Sequence, residues 1–227
     1  MMTTATTSAW QPAASVSAIE LNAKASPDFA AKLAETVALL RQAAAHGPVT
    51  LACSLGAEDM VLADLINANE LPISIFVLET GALHAETLAL LEQLKTSQAT
   101  RPYAPLTVYQ PVQEAVIEFV AREGNEAMYK SIALRKACCG IRKMEPLSRA
   151  LAGQKGWLTG LRREQSGARA EVPLVDESEV ATKGLTKFNP LANWTWGDVW
   201  HYIAQNKVQY NPLHDQFFPS IGCAPCT

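Results

Sequence analysis

Two pairs of cysteines, Cys138-Cys139 and Cys223-x-x-Cys226, stand apart from a fifth, Cys53, which lies inside an apolar run. A tandem pair plus a CxxC in a Gly/Pro-rich stretch is a donor set for a four-thiolate metal site. Tetrahedral zinc and an iron–sulfur cluster both suit four thiolates, and spacing does not separate them. The tandem pair breaks the usual two-CxxC spacing of a zinc ribbon. Adjacent cysteines bridge only with strain, so a disulfide is disfavoured. Cys53 reads as a small buried core residue. Two further groups could do chemistry. Ser54-Leu55-Gly56-Ala57-Glu58-Asp59 follows an apolar run and opens a helical pattern; such a junction points backbone N–H groups at one spot and can hold an anion. No Lys-Ser/Thr pair follows, so it is not a Walker loop, and an unliganded Ser-Gly turn is the plain alternative. Arg142-Lys143 and Arg162-Arg163 with Gln165 supply cations; isolated basic pairs are usually solvated, but strand ends are where sites are built.

The elements that must position these groups alternate. A helix over Ala30–Ala45 stops at Gly47-Pro48. Apolar runs at Val49–Cys53, Ile73–Leu78, Leu106–Tyr109 and Gly156–Gly160 read as strands. Helical stretches fall at Asp59–Asn67, Ala85–Lys95 and Val112–Arg122, and another carries an apolar stripe of Ile141, Met144, Leu147 and Leu151. Alternation of this kind predicts an α/β fold, a parallel sheet with helices on both faces. Ligands then bind outside the carboxyl ends of the strands, where Ser54, Leu78–Gly81 and Gly160–Arg163 converge. After Arg162 loops dominate, until a short helix begins at Thr195 with Asp198 as its capping partner.

Composition sets the bounds. The chain has 227 residues, 19 Lys+Arg against 22 Asp+Glu, and 48% hydrophobic residues, which excludes general disorder. A net charge of −3 argues against a nucleic-acid binder. No apolar run reaches the ~20 residues of a membrane span. Residues 1–26, a Thr/Ala/Ser tract with neither a basic start nor an apolar core, read as a mobile leader rather than a secretory signal. Residues 27–227 read as one domain in a reducing, cytoplasmic setting.

These motifs in this order resemble the assimilatory sulfonucleotide reductases, in particular adenylyl-sulfate (APS) reductases. The resemblance is carried by Ser54–Asp59, Leu78-Glu79-Thr80-Gly81, Cys138–Leu147, Thr159–Ser166, Asn189-Pro190-Leu191, Tyr210–Asp215 and Pro219–Thr227. It implies a PP-loop fold, similar to adenine-nucleotide α-hydrolases, and a [4Fe–4S] cluster on Cys138, Cys139, Cys223 and Cys226. Ser54, Gly56, Ala57, Glu58 and Asp59 become the expected phosphosulfate cradle. Leu78, Thr80, Gly81, Gly160, Arg162 and Arg163 become the expected nucleotide contacts, and Lys143 the lysine between cluster and substrate. Relatives that use 3′-phosphoadenylyl sulfate (PAPS) typically lack the cysteine pairs.

The implied reaction is attack of a cysteine thiolate on the sulfur of APS. AMP leaves, and thioredoxin or a glutaredoxin-like dithiol releases sulfite. The family's nucleophile lies in a Glu-Cys-Gly-(Leu/Ile)-His motif, which does not occur in these 227 residues; the expectation is that the catalytic tail lies outside this sequence. Glu79 and Ala82 depart from the common Asp-Thr-Gly-Arg, and Phe217 stands where glycine is common. Members are often oligomeric, so a homo-oligomer is allowed. Other readings are a PAPS reductase, a PP-loop ATP-pyrophosphatase or tRNA-thiolation relative, and a cluster-stabilised nucleotide-binding scaffold.

Overall fold

The computed structural model describes residues 16–227. Six strands make one sheet: β1 (Val49–Ala52), β2 (Ser74–Leu78), β3 (Leu106–Tyr109), β4 (Gly156–Leu158), β5 (Val175–Asp176) and β6 (Thr186–Phe188). Their order is β3-β2-β1-β4-β6-β5, parallel except for β5, which runs antiparallel to β6. Thr50 of β1 stands opposite Ser74 on one side and Trp157 on the other. The apolar runs of β1 and β2 are short and unbroken because their strands are covered on both faces.

Ten α-helices connect or cover the strands: α1 (Ala18–Asn22), α2 (Phe29–Ala45), α3 (Ala57–Ala68), α4 (Ala85–Gln98), α5 (Gln113–Glu123), α6 (Ala127–Lys130), α7 (Ile132–Cys139), α8 (Glu145–Leu151), α9 (Val180–Lys183) and α10 (Trp196–Asn206). One core joins Leu51, Ile75 and Leu158 of the sheet to Val61, Leu62 and Ile66 of α3 and to Trp200 and Ile203 of α10. Each such side chain stabilises the fold by roughly 1.5–3 kcal/mol. On the opposite sheet face α8 packs against β2 and β3. The capping box expected at Thr195 and Asp198 is present.

Three expectations change. The helix read through Ile141–Leu151 begins as a turn of π-helix, Gly140–Met144, which joins an unforeseen α7 to α8. The wider turn moves Met144 off the apolar stripe, and it is exposed. Strands β5 and β6, two and three residues long, are too short for a periodic pattern to reveal. The segment read as a leader is ordered where it is described. Ser17 caps α1, Ala18 is buried, and the Ala18 amide donates to Asp215 Oδ1 at 2.7 Å. Further on, Asp198 accepts from Ser26 N at 2.7 Å and pairs with Lys32 at 3.2 Å, while Lys24 O lies where a side chain on Gly197 would go. Residues 1–15 of the expected leader lie outside the described residues.

Candidate active site at the strand ends

Asp59 ties the ends of two strands together. From the first turn of α3 its Oδ2 accepts from Ser54 N at 2.8 Å and Ser54 Oγ at 2.6 Å, and its Oδ1 accepts from Gly160 N at 3.0 Å. Burial pushes its carboxyl up to about 6, against the pull of the Ser54 bonds. Gly160 must be glycine here: a Cβ would sit 2.5 Å from Asp59 Oδ1 and 2.7 Å from Glu58 Cβ. Between Ser54 and the helix, Leu55 takes φ +65° with its side chain buried, and Gly56 caps α3 in an extended conformation. The amides of a first helical turn have no partner within the helix and favour an anion. Backbone amides are therefore what the expected cradle offers an anion. Ala57 is buried, and the carboxylates of Glu58 and Asp59 are both engaged by protein donors.

The loop after β2 carries the next layer. Arg142, projecting from the π-turn, donates from Nη1 to Thr80 O at 2.7 Å, and Gly81 with φ +68° gives that guanidinium room. Buried Thr80 places Oγ1 3.2 Å from Cys223 Sγ. The Ala224 amide donates to Ala82 O at 2.8 Å, and Leu83 forms a β-bridge with Cys223. Main-chain bonds thus carry the CxxC segment to the β2 loop.

Two cavities result. One, about 250 Å³, is lined by Cys138, Cys139, Cys223 and Cys226 together with Arg135, Arg142 and Lys143. Burial pushes the Cys138 thiol up, and Arg142 beside it pulls it down. Among the described residues no three His, Cys, Asp or Glu side chains converge on a point as a single ion requires. The four thiols surround a space instead. The second cavity, about 270 Å³, opens at the carboxyl ends of β1 and β2. Its lining includes Ser54, Phe76, Leu78, Thr80, Leu147 and Trp157. Half-buried Lys143 lines both.

Arg162 and Arg163 do not face this cleft. Arg162 is buried, paired with Glu58 at 3.0 Å and Glu164 at 2.9 Å, and stacked 5.1 Å from the Trp196 ring centre. Arg163 donates to Val172 O at 2.8 Å and to Asn193. In this structure both arginines are engaged within the 162–193 loop and its neighbours. Cys53 is buried as expected, and burial with the neighbouring Asp59 carboxyl pushes its thiol far up, which leaves it a poor nucleophile. Phe217 adopts φ +65° with its ring exposed, a backbone state glycine enters without steric cost. Sequence reasoning missed Arg135, Trp157 and the Thr80–Cys223 contact; each depends on chain segments that only folding brings together.

Residues 48–227 match the phosphoadenosine phosphosulfate reductase domain. The chain belongs to that family. A protein of Allochromatium vinosum named adenosine 5'-phosphosulfate reductase is 50% identical over 179 residues, 79% of this chain and 68% of that one. One of the same name from Neisseria meningitidis serogroup A is 46% identical over 200 residues, 86% and 80% of the two chains. The crystal structure of a PAPS reductase from Candida auris in complex with phosphate superposes with a TM-score of 0.67 at 26% identity, covering 88% of this chain and 97% of that one. The PP-loop architecture expected from the motifs of this reductase family is thus the observed one, and its conserved topology places the cleft at the sheet's carboxyl edge.

Proposed function

We propose that this chain reduces adenylyl sulfate to sulfite and AMP, with thioredoxin or a glutaredoxin-like dithiol as reductant, in the cytoplasm. The observation that carries the reading is the position of Lys143, shared by the thiol-lined cavity and the strand-end cleft. The names of the relatives at 46–50% identity support APS as the sulfonucleotide.

Four thiols line one cavity with Arg135, Arg142 and Lys143 around it, a donor set a [4Fe–4S] cluster would use, as the family resemblance implies. Cys138, Cys139, Cys223 and Cys226 would hold it; when bound it supplies cross-linking and a fixed charge. The chain's own residues do the rest. Backbone amides at Leu55–Ala57 and the Lys143 ammonium hold the phosphosulfate and oppose its charge. Leu78, Phe76 and Leu147 exclude water from the nucleoside end. A thiolate of the family's Glu-Cys-Gly-(Leu/Ile)-His motif, which these residues do not contain, attacks sulfur, the S–O bond breaks, and AMP leaves with the bonding pair. Reduced dithiol next cleaves the S-sulfonate, releasing sulfite and becoming a disulfide.

The test is anaerobic purification followed by titration with AMP and APS and assay of iron and acid-labile sulfide. Micromolar-range nucleotide binding with four irons per chain is expected; zinc in place of iron, or no nucleotide binding, overturns the reading. In a protein that joins this chain to a Glu-Cys-Gly-(Leu/Ile)-His segment, thioredoxin-dependent sulfite release from PAPS exceeding that from APS would transfer the chain to the PAPS-using branch.

A further inference from the structure

The segment that carries Cys223 and Cys226 is anchored at two ends. On one side Thr80, Ala82 and Leu83 hold Cys223 and Ala224. Pro219–Ile221, which lead into it from the other side, make no main-chain hydrogen bond among the described residues. Their course is therefore set by the turn before them, Pro212–Gln216. There the Phe217 amide donates to His214 O at 3.1 Å and the Phe218 amide to Leu213 O at 3.2 Å. A stretch with no bonds of its own is only as fixed as its anchors.

Asp215 holds that turn. Its Oδ1 accepts from the Tyr210 hydroxyl at 3.0 Å and from the Ala18 amide at 2.7 Å. Burial, and then the carboxylate itself, push the Tyr210 phenol up to about 12, so it stays a donor. The Ala18 amide opens α1 and has no partner within that helix; a carboxylate about 200 positions away supplies one. Ser17 and Glu20 close a capping box over the same turn, which fixes the direction in which that amide points. Ala18 and Leu21 also line one cavity, of about 180 Å³, with Phe217, Phe218 and Pro219. The first helix thus meets the last turn before the CxxC.

We propose that Asp215 is a positioning residue that makes the N-terminal helix a brace for the metal-binding end of the chain. By tying α1 to the Pro212–Gln216 turn, it sets where Cys223 and Cys226 stand relative to Cys138 and Cys139. The metal part of the test rests on the reading of these four thiols as cluster ligands; the exchange part does not.

Hydrogen exchange of the metal-free protein, read at the Phe217, Phe218, Gly222 and Ala224 amides, tests the brace directly. Asp215→Ala should speed exchange there about tenfold or more, the range of a hydrogen bond to a charged group. Ser17→Ala/Glu20→Ala removes the capping box and leaves Asp215 in place; it should speed the same amides about threefold or more. Gln98→Ala is the control. It deletes a buried hydrogen-bonding side chain at the opposite end of α4, and should lower the thermal midpoint while leaving those four amides unchanged. Iron loss to a chelator, from anaerobically reconstituted protein, should accelerate in the first two variants and not in the third. Wild-type exchange in Asp215→Ala overturns the proposal, as does wild-type exchange in Ser17→Ala/Glu20→Ala should Asp215→Ala fail to fold. Equal acceleration in Gln98→Ala overturns it too, since the effect would then be general destabilisation, and so does faster exchange without faster iron loss. Wild-type protein that takes up no iron refutes the cluster reading, and exchange alone then decides the brace.

Discussion

Replacing Gly160 with alanine probes the contact that joins the first and fourth strands at the site. The new methyl would lie 2.5 Å from Asp59 Oδ1, 2.7 Å from Glu58 Cβ and 3.3 Å from Asp59 N. None of these is the free end of a flexible side chain, since Asp59 is held by Ser54 and Glu58 by Arg162. Either α3 moves away from β4 or the Gly160–Asp59 bond opens. Overpacking of this kind costs about 1–3 kcal/mol. Loss of a hydrogen bond to a charged group adds about 1.5–3 kcal/mol. Because the two share one displacement they do not sum fully, and about 3–4 kcal/mol is expected. For a chain of this size that is a fall in Tm of roughly 6–16 °C. Circular-dichroism melts of Gly160→Ala and wild type measure it, with Gly167→Ala as control, because nothing lies within 4 Å of a Cβ there. AMP affinity should fall with Gly160→Ala, since the Ser54–Asp59 loop is displaced. A Gly160→Ala protein melting within about 2 °C of wild type would refute the claim that this close approach shapes the site.

Lys143→Ala should retain iron and fold while weakening APS binding about tenfold or more, as loss of one charge-assisted contact does; a change in the thermal midpoint comparable to that of Gly160→Ala would make the lysine structural. Arg162→Ala strands Glu58 inside the protein and should destabilise by about 3–5 kcal/mol in urea denaturation, whereas an Arg162→Ala variant that is stable but cannot bind AMP would return the arginine to the nucleotide. Asp198 is pulled up by burial, yet the bonds from Ser26 and Thr195 outweigh this and hold it at about 2. The folded state therefore binds fewer protons than the unfolded one between about pH 2 and 3.8, and that part of stability, present above 3.8, is lost as pH falls through the window. Asp59, raised to about 6, has the opposite sign: its contribution is present below 3.8 and is lost as pH rises to 6. Stability against pH for Asp198→Asn and Asp59→Asn should flatten in those two different windows. Hydrogen exchange of residues 17–28 should accelerate in Asp198→Ala, because Asp198 anchors Ser26 and Lys32.

The strands β1 to β4 and the helices between them were legible because each buries a continuous or periodic apolar set, a signal written in neighbouring residues. The N-terminal helix was not. Its hold on the fold comes from Asp215 and Asp198, about 200 and 170 positions away, and no local pattern in a Thr/Ala/Ser tract announces such partners. The same division runs through the site. Residue type singled out the four cysteines as a metal donor set, because chemistry restricts which side chains can ligate; the Ser54–Asp59 loop and Lys143 drew their expected roles from the resemblance of the motifs to the reductase family. Direction was not decided there. Arg162 and Arg163, expected as nucleotide contacts, also tie the chain internally, because the carboxylates and carbonyls around them accept from their guanidinium groups. Only the tertiary structure set Thr80 against Cys223 and put Lys143 between two cavities. Those relations depend on the register of β1 with β4 and on the π-turn after Cys139, long-range and cumulative geometry that no window of sequence contains.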